Sequence, residues 1–470
     1  MSPRSLEGYV REMRRWIIVV GGVGLSLVVV LVSSCATAAG TVEEVSGNEP
    51  FPDAAIMFLG RDGDYRLAGD PFASEGDTPP DVSQLLPEMI GDRQVLSTST
   101  AQWSPDGRHV AVAAQLAAGR AGGDAPSQVI AVVSPDTGEL HVVWEESGAV
   151  PFVLGWSPDG RRLALLATQS QPELVLEVLL FAEEPQPFAT AASQVDLVKS
   201  APVYFDWAAD SETLVVASGS TVTAYDTNTG AASTLTAGNG DFRAPDAGTA
   251  GDGVLTIERR GSEQSIVELD SAGRRLPHIT APAGGAFAWN PAGRYFAALR
   301  FGGLGLVGAM SVVDTGDVAR QISWSPVNQE TEPLSNALAY AMEWAPDGNG
   351  LLILSPDIEA ERRYAARWLW GTPDGSGGWA IRELLRFQPE PAYLATRLPF
   401  FDQYTRVEST IAPDAQAFTF AREIEGTGGS SEIVAYRFSD DTVVVVGPGS
   451  FPTWRPSEHT GAPAGTNPEL

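Results

Sequence analysis

Trp103-Ser104-Pro105-Asp106-Gly107 returns as Trp156-Ser157-Pro158-Asp159-Gly160, 53 residues further on. A looser copy, Trp207-Ala208-Ala209-Asp210, follows after another 51 residues. Trp289-Asn290-Pro291-Ala292-Gly293 and Trp344-Ala345-Pro346-Asp347-Gly348 stand 55 apart. Copies without Trp occur at Ala244-Pro245-Asp246-Ala247-Gly248 and Ala412-Pro413-Asp414-Ala415, and Trp454-Arg455-Pro456-Ser457 comes last. Trp324-Ser325-Pro326 lies 20 residues before the next copy, too close for a repeat unit, and reads as loop. A recurring period of about fifty residues marks a repeat architecture.

The motif is a turn. Pro presets φ at the first turn position, Asp accepts a nearby backbone N–H, and Gly takes the left-handed conformation. An apolar strand follows, as in His109-Val110-Ala111-Val112-Ala113 or Arg162-Leu163-Ala164-Leu165-Leu166. Further along, Val132-Val133 runs into a second turn, Ser134-Pro135-Asp136-Thr137-Gly138. Four short strands per fifty residues, joined by hairpin turns, make a propeller blade. The Trp is large enough to fill the seam between stacked blades.

The expected fold is therefore all-β: a β-propeller of four-stranded blades over residues 54–457, with eight blades, or seven if one degenerate copy is a loop. Trp454 opens a blade with too little chain after it. Ala55-Ile56-Met57-Phe58-Leu59 and Asp64-Tyr65-Arg66-Leu67 are strands with no motif before them. Joined, these ends complete one blade and close the ring, which removes free sheet edges.

The copies at 103, 156 and 344 resemble the TolB-type, or PD40, propeller repeat. The resemblance covers residues 54–457 and implies a WD40-like ring. It differs from the WD40 signature, where Trp-Asp ends a strand, and from the sialidase Asp-box, where Trp follows Gly. TolB also carries an N-terminal α/β domain, which is not expected here, so its partner binding does not transfer. Prolyl-oligopeptidase-type enzymes add a hydrolase domain to such a propeller, and none is expected after Trp454.

Composition narrows the class. The 470 residues are 43% hydrophobic, enough for a large globular core. A net charge of -29 repels phosphate backbones, so nucleic acid is excluded as a partner. Lys199 is the only lysine, and the single cysteine, Cys35, rules out an internal disulfide or a thiolate metal site.

The N-terminus reads as an export signal. Arg4, Arg11, Arg14 and Arg15 precede a 16-residue apolar run, Ile17 to Val32, and small residues surround Cys35. A spanning helix needs roughly 20 residues. The pattern resembles the bacterial lipobox, with Val32 in the aliphatic slot. The resemblance implies cleavage before Cys35 and lipidation of its sulfur, which would anchor the chain on the extracytoplasmic face of the cell membrane. An uncleaved signal anchor is the alternative. Residues 36–53 read as a flexible tether and 458–470 as a disordered tail.

No nucleophile elbow, zincin motif, Walker loop or dinucleotide fingerprint is present. No catalytic set, metal site or cofactor is implied. Asp62-Gly63-Asp64 reads as a hairpin turn, and Glu145-Glu146, Glu183-Glu184 and Asp440-Asp441 read as solvated surface. Asp206 and Glu343 each precede a motif Trp on an inner strand. Such acids reach toward the central channel, either to bind a cation or basic group or to make a structural hydrogen bond. Residues 73–97, 324–338 and 383–408 read as long loops, which on a rigid scaffold carry specificity. The last holds Phe387, Tyr393, Phe400, Phe401 and Tyr404, either a binding surface or a cover for a blade edge. The expected function is a monomeric, non-enzymatic envelope lipoprotein that binds a protein, peptide or glycan. The alternative is a lyase- or lactonase-type enzyme with an acidic, Ca-dependent channel.

Overall fold

A computed structural model describes residues 50–457 apart from 74–78, 119–125, 169–173, 182–187, 189–192, 200–202, 238–239, 248–252, 262, 271, 283–284, 292–294, 302–307, 315–337, 358–364, 374–378, 405–407 and 428. The signal segment, Cys35, the C-terminal tail and Trp324-Ser325-Pro326 lie outside the described residues. No helix among the described residues is long and apolar enough to cross a membrane.

The motif turns explain the blades. In Ser104–Gly107 the Gly107 N–H donates to Ser104 O at 2.9 Å, and Gly107 sits at φ 69°. Asp106 Oδ1 accepts the Arg108 N–H at 3.0 Å and the Ser104 hydroxyl at 2.6 Å. The copy at Trp156 repeats both bonds, at 3.0 and 2.6 Å. Ser211 and Ala415 hold the left-handed slot in the looser copies, at φ 62° and 56°. Each turn joins an inner strand to an apolar one: Val150–Trp156 to Arg162–Thr168, Val203–Trp207 to Thr213–Ser218.

The chain is a β-propeller. Among the described residues six sheets are separate blades, five of four antiparallel strands and one of five. The seventh has six strands, because Thr442–Trp454 pairs on both sides. Its first half lies against Ser431–Arg437, and its second against Ala54–Gly60, with Ile56 opposite Trp454. Tyr65–Gly69 and Val82–Gln84 extend the same sheet. Arg455 fastens this join: its guanidinium reaches Pro52 O at 3.1 Å and Asp136 at 2.7 Å, and lies 5.6 Å from the Trp103 ring. Residues 73–97, expected as loop, contribute the strands Val82–Gln84 and Met89–Ile90.

Register identifies equivalent positions. Trp103, Trp156, Trp207, Trp289 and Trp344 face Val110, Leu163, Leu214, Phe296 and Leu351. Ile411 takes the same slot opposite Phe418. The copy near 244 differs from expectation. Asp246 occupies the Trp slot, opposite Leu255, so Pro245-Asp246 ends a strand instead of forming the turn. A bulge at Ala244, with φ 50°, accommodates the extra residues.

Candidate functional site

The motif Trp rings fill the seams, as their size requires. Trp103, Trp156, Trp207 and Trp344 are all at least nine-tenths buried. Each of three indoles also reaches one blade back. Trp156 Nε1 donates to Gln102 O at 3.3 Å, Trp207 Nε1 to Gly155 O at 2.8 Å, and Trp344 Nε1 to Ala288 O at 3.0 Å. In every case the acceptor belongs to the residue before the preceding motif Trp.

Two blades have no Trp in that slot, those of Asp246 and Ile411. The blades before them carry Asp206 and Glu343 at the pre-Trp position. Asp206 Oδ2 accepts the Ala247 N–H at 2.8 Å. Glu343 accepts the Thr410 N–H and the Ser409 hydroxyl, each at 2.9 Å, and the Thr410 hydroxyl at 2.5 Å. A carboxylate bond thus links the blades at the two seams whose slot holds no Trp. Burial pushes Glu343 above the ordinary carboxylate value, and these hydrogen bonds oppose the shift.

Both acids also line the central channel, in a cavity of about 490 Å³. Asp246 and Glu408 line it as well, and among the described lining residues there is no Lys, Arg or His. Motif prolines, Pro105, Pro158, Pro346 and Pro456 among them, lie around the end nearest the turns. The lining is therefore acidic and aromatic. Among the described residues no group of three or more His, Cys, Asp or Glu is placed to hold a metal.

The other end is closed from within. Residues 383–408 are not a surface loop. Trp379–Phe387 is a strand, and Tyr393–Tyr404 is a helical run passing through π, 3-10 and α geometry. The run crosses the channel: Gln403 donates to Phe205 O at 3.1 Å and accepts the Phe205 N–H at 3.2 Å. This satisfies the free edge of an inner strand 198 residues away in sequence. Arg397, nearly buried, pairs with Glu408 at 2.9 Å and lies 3.9 Å from the Tyr404 ring and 4.8 Å from Phe451. The result is a blind cup that opens at the motif turns.

The aromatics expected to form a binding surface are divided. Phe401 is 5% exposed and packs into the core, and Tyr404 packs against the blades of Trp156 and Trp207. Phe387 stacks on Trp368 at 6.0 Å. Of these five, Phe400 alone is exposed, at 50%. Sequence reading missed Arg397, Gln403 and Glu408, which hold the plug. The acidic pairs are partnered: Glu145 with Arg93 at 2.9 Å, Asp440 with Arg437 at 2.7 Å. Glu183-Glu184 lies outside the described residues.

Glu390, at the base of the plug, is 4% exposed and hydrogen-bonds the Ser450 hydroxyl. Burial raises its carboxyl above the ordinary value. The folded state therefore holds this proton more tightly than the unfolded one. Its contribution is fully present below the unfolded carboxylate value and is lost as pH rises through the folded value. Glu390→Gln should stabilise the protein more at pH 8 than at pH 5, relative to wild type, in thermal melts. A difference independent of pH would contradict this.

No family model matches the chain, and no curated protein matches it. Solved structures do. TolB from Acinetobacter baumannii is 12% identical over 71% of this chain and 80% of its own, with a TM-score of 0.33. The C-terminal WD40 domain of Sif2 is 11% identical over 87% and 99%, with a TM-score of 0.46. Puromycin hydrolase is 18% identical, with a TM-score of 0.40; the match covers 68% of this chain and 51% of the hydrolase. At these scores the likenesses say nothing of activity, and the propeller stands on the chain's own sheets and registers.

Proposed function

We propose that the chain is a lipid-anchored, extracytoplasmic binding propeller whose channel cup takes a basic peptide segment. The supporting observation is the cup itself, a blind cavity lined by four carboxylates and the motif Trp and Pro residues, with no basic lining residue among those described. Asp206 and Glu343 are engaged by backbone donors, which suits a fixed electrostatic field better than proton transfer. The carboxyl groups at the lumen wall set a field that attracts a ligand cation over distance, without a direct hydrogen bond to each. A cation near the Trp rings gains further attraction from their π faces. The ring counts eight blades, divided at Gly449 within the six-stranded sheet, and acts as a monomer.

An acetylated lysine octapeptide should quench or shift the tryptophan fluorescence of the purified full-length chain, with affinity falling as salt rises. No spectral or calorimetric binding at low salt would overturn this reading. Export and anchoring are tested separately. A palmitate analogue should label wild type and not Cys35→Ser, and equal labelling would contradict lipidation.

A further inference from the structure

We propose that the cup opens toward the bilayer and receives its basic segment from a membrane-borne partner; this rests on the reading of the chain as a lipid-anchored binding propeller. Strand direction sets the geometry. The inner strands ending at Trp103, Trp156, Trp207, Trp344 and Trp454 run toward their motif turns, so these turns share one end of the ring, and hairpins such as Gly60–Tyr65 and Ser218–Thr221 lie at the other. Both ends of the described residues lie at the turn end. The Phe51 N–H donates to Pro135 O at 2.7 Å, and Arg455 holds Pro52 and Asp136. Pro456 presses on the first motif turn: a Cβ on Gly107 would lie 2.2 Å from Pro456 O. Pro105 and Pro456 also line the cavity, so the chain leaves the ring beside the mouth of the cup.

Chain length then orients the mouth. Residues 36–49 separate Cys35 from the described ring. Fourteen linking residues reach at most about 46–50 Å even when fully extended, and any shorter path is entropically favoured. Reaching the bilayer with the plugged end foremost would require a further strand length, about 23 Å for seven residues. The mouth-down arrangement is therefore the one the tether favours. The net charge of -29 opposes adsorption to anionic headgroups, which leaves the mouth open above the surface. A cationic segment displayed at that height on a membrane-borne partner meets the cup at high effective concentration.

The test uses the full-length lipidated protein in phosphatidylethanolamine–phosphatidylglycerol vesicles with acceptor dyes on lipid headgroups. A donor dye is placed at Ala209→Cys, in a motif turn, or at Ser220→Cys, at the opposite end of the same blade. Both sites are exposed, and Cys35 is blocked by its lipid. Energy transfer to the bilayer should be severalfold greater from position 209. Equal or greater transfer from 220 would overturn the orientation, whereas failure of the protein to associate with vesicles would overturn the anchor and this proposal with it. A lysine octapeptide on an acyl chain in the same vesicles should bind at least about a hundredfold more tightly than the free peptide. Equal affinities would reject the membrane-borne partner and leave peptide binding standing. Binding by neither form would reject the cup as a peptide site.

Discussion

Arg397→Ala should lower stability by about 3–5 kcal/mol, the usual loss when one member of a buried ion pair is removed. The side chains of Arg397 and Glu408 are only 10% and 15% exposed, and they meet at 2.9 Å. Burial raises the Glu408 carboxyl, and the guanidinium beside it is the main force holding it down. Without Arg397 that carboxylate is left desolvated and uncompensated. The arginine also contacts the Tyr404 and Phe451 rings, so packing is lost with the charge. Replacing both partners, as in Arg397→Met with Glu408→Leu, should cost much less. Urea midpoints of the two variants make the comparison. A single variant no less stable than the double one would show that the pair does not secure the plug.

Trp344→Ala should cost about 3–5 kcal/mol, as truncation of a buried large ring commonly does. Trp344 is 7% exposed, meets Trp379 edge-to-face at 5.6 Å and donates across the seam to Ala288 O. That loss is a large share of a total stability of about 5–15 kcal/mol. Phe401→Ala belongs in the same group, because its ring is in the core. Phe400→Ala should change stability by no more than about 0.5 kcal/mol, since half the residue is exposed. Trp344→Ala and Phe400→Ala variants with equal urea midpoints would contradict the seam role.

The propeller was legible because its signature is local. Ser104, Pro105, Asp106 and Gly107 make the turn from their own side chains and dihedrals, and the copy at Trp156 repeats the same bonds. The orphan strands at the start and the orphan motif at the end identified the joined sheet. The blade of Asp246 was misread because its Pro-Asp imitates the turn while register places it on the strand. The plug was illegible for a different reason. Gln403 meets Phe205 across the ring, and no local pattern announces a contact between such distant segments. Aromatics in a long connection indicate apolar surface but not which side of the scaffold covers it, so Phe401 and Phe400 looked alike. Asp206 and Glu343 were legible as inner-strand acids, either for the channel or for a structural hydrogen bond; their bonds opposite the Trp-free blades became visible only from register.

The cup as binding site is tested most directly at Ala288, a small, half-buried residue that lines the cavity at a pre-Trp position. Ala288→Arg puts a long cation into the acidic lumen, while the Ala288 carbonyl remains available to Trp344. Calorimetric titration of the lysine octapeptide into this variant should show binding abolished, with the circular dichroism spectrum of wild type retained. A folded Ala288→Arg protein that binds the peptide as tightly as wild type would place the site elsewhere on the ring.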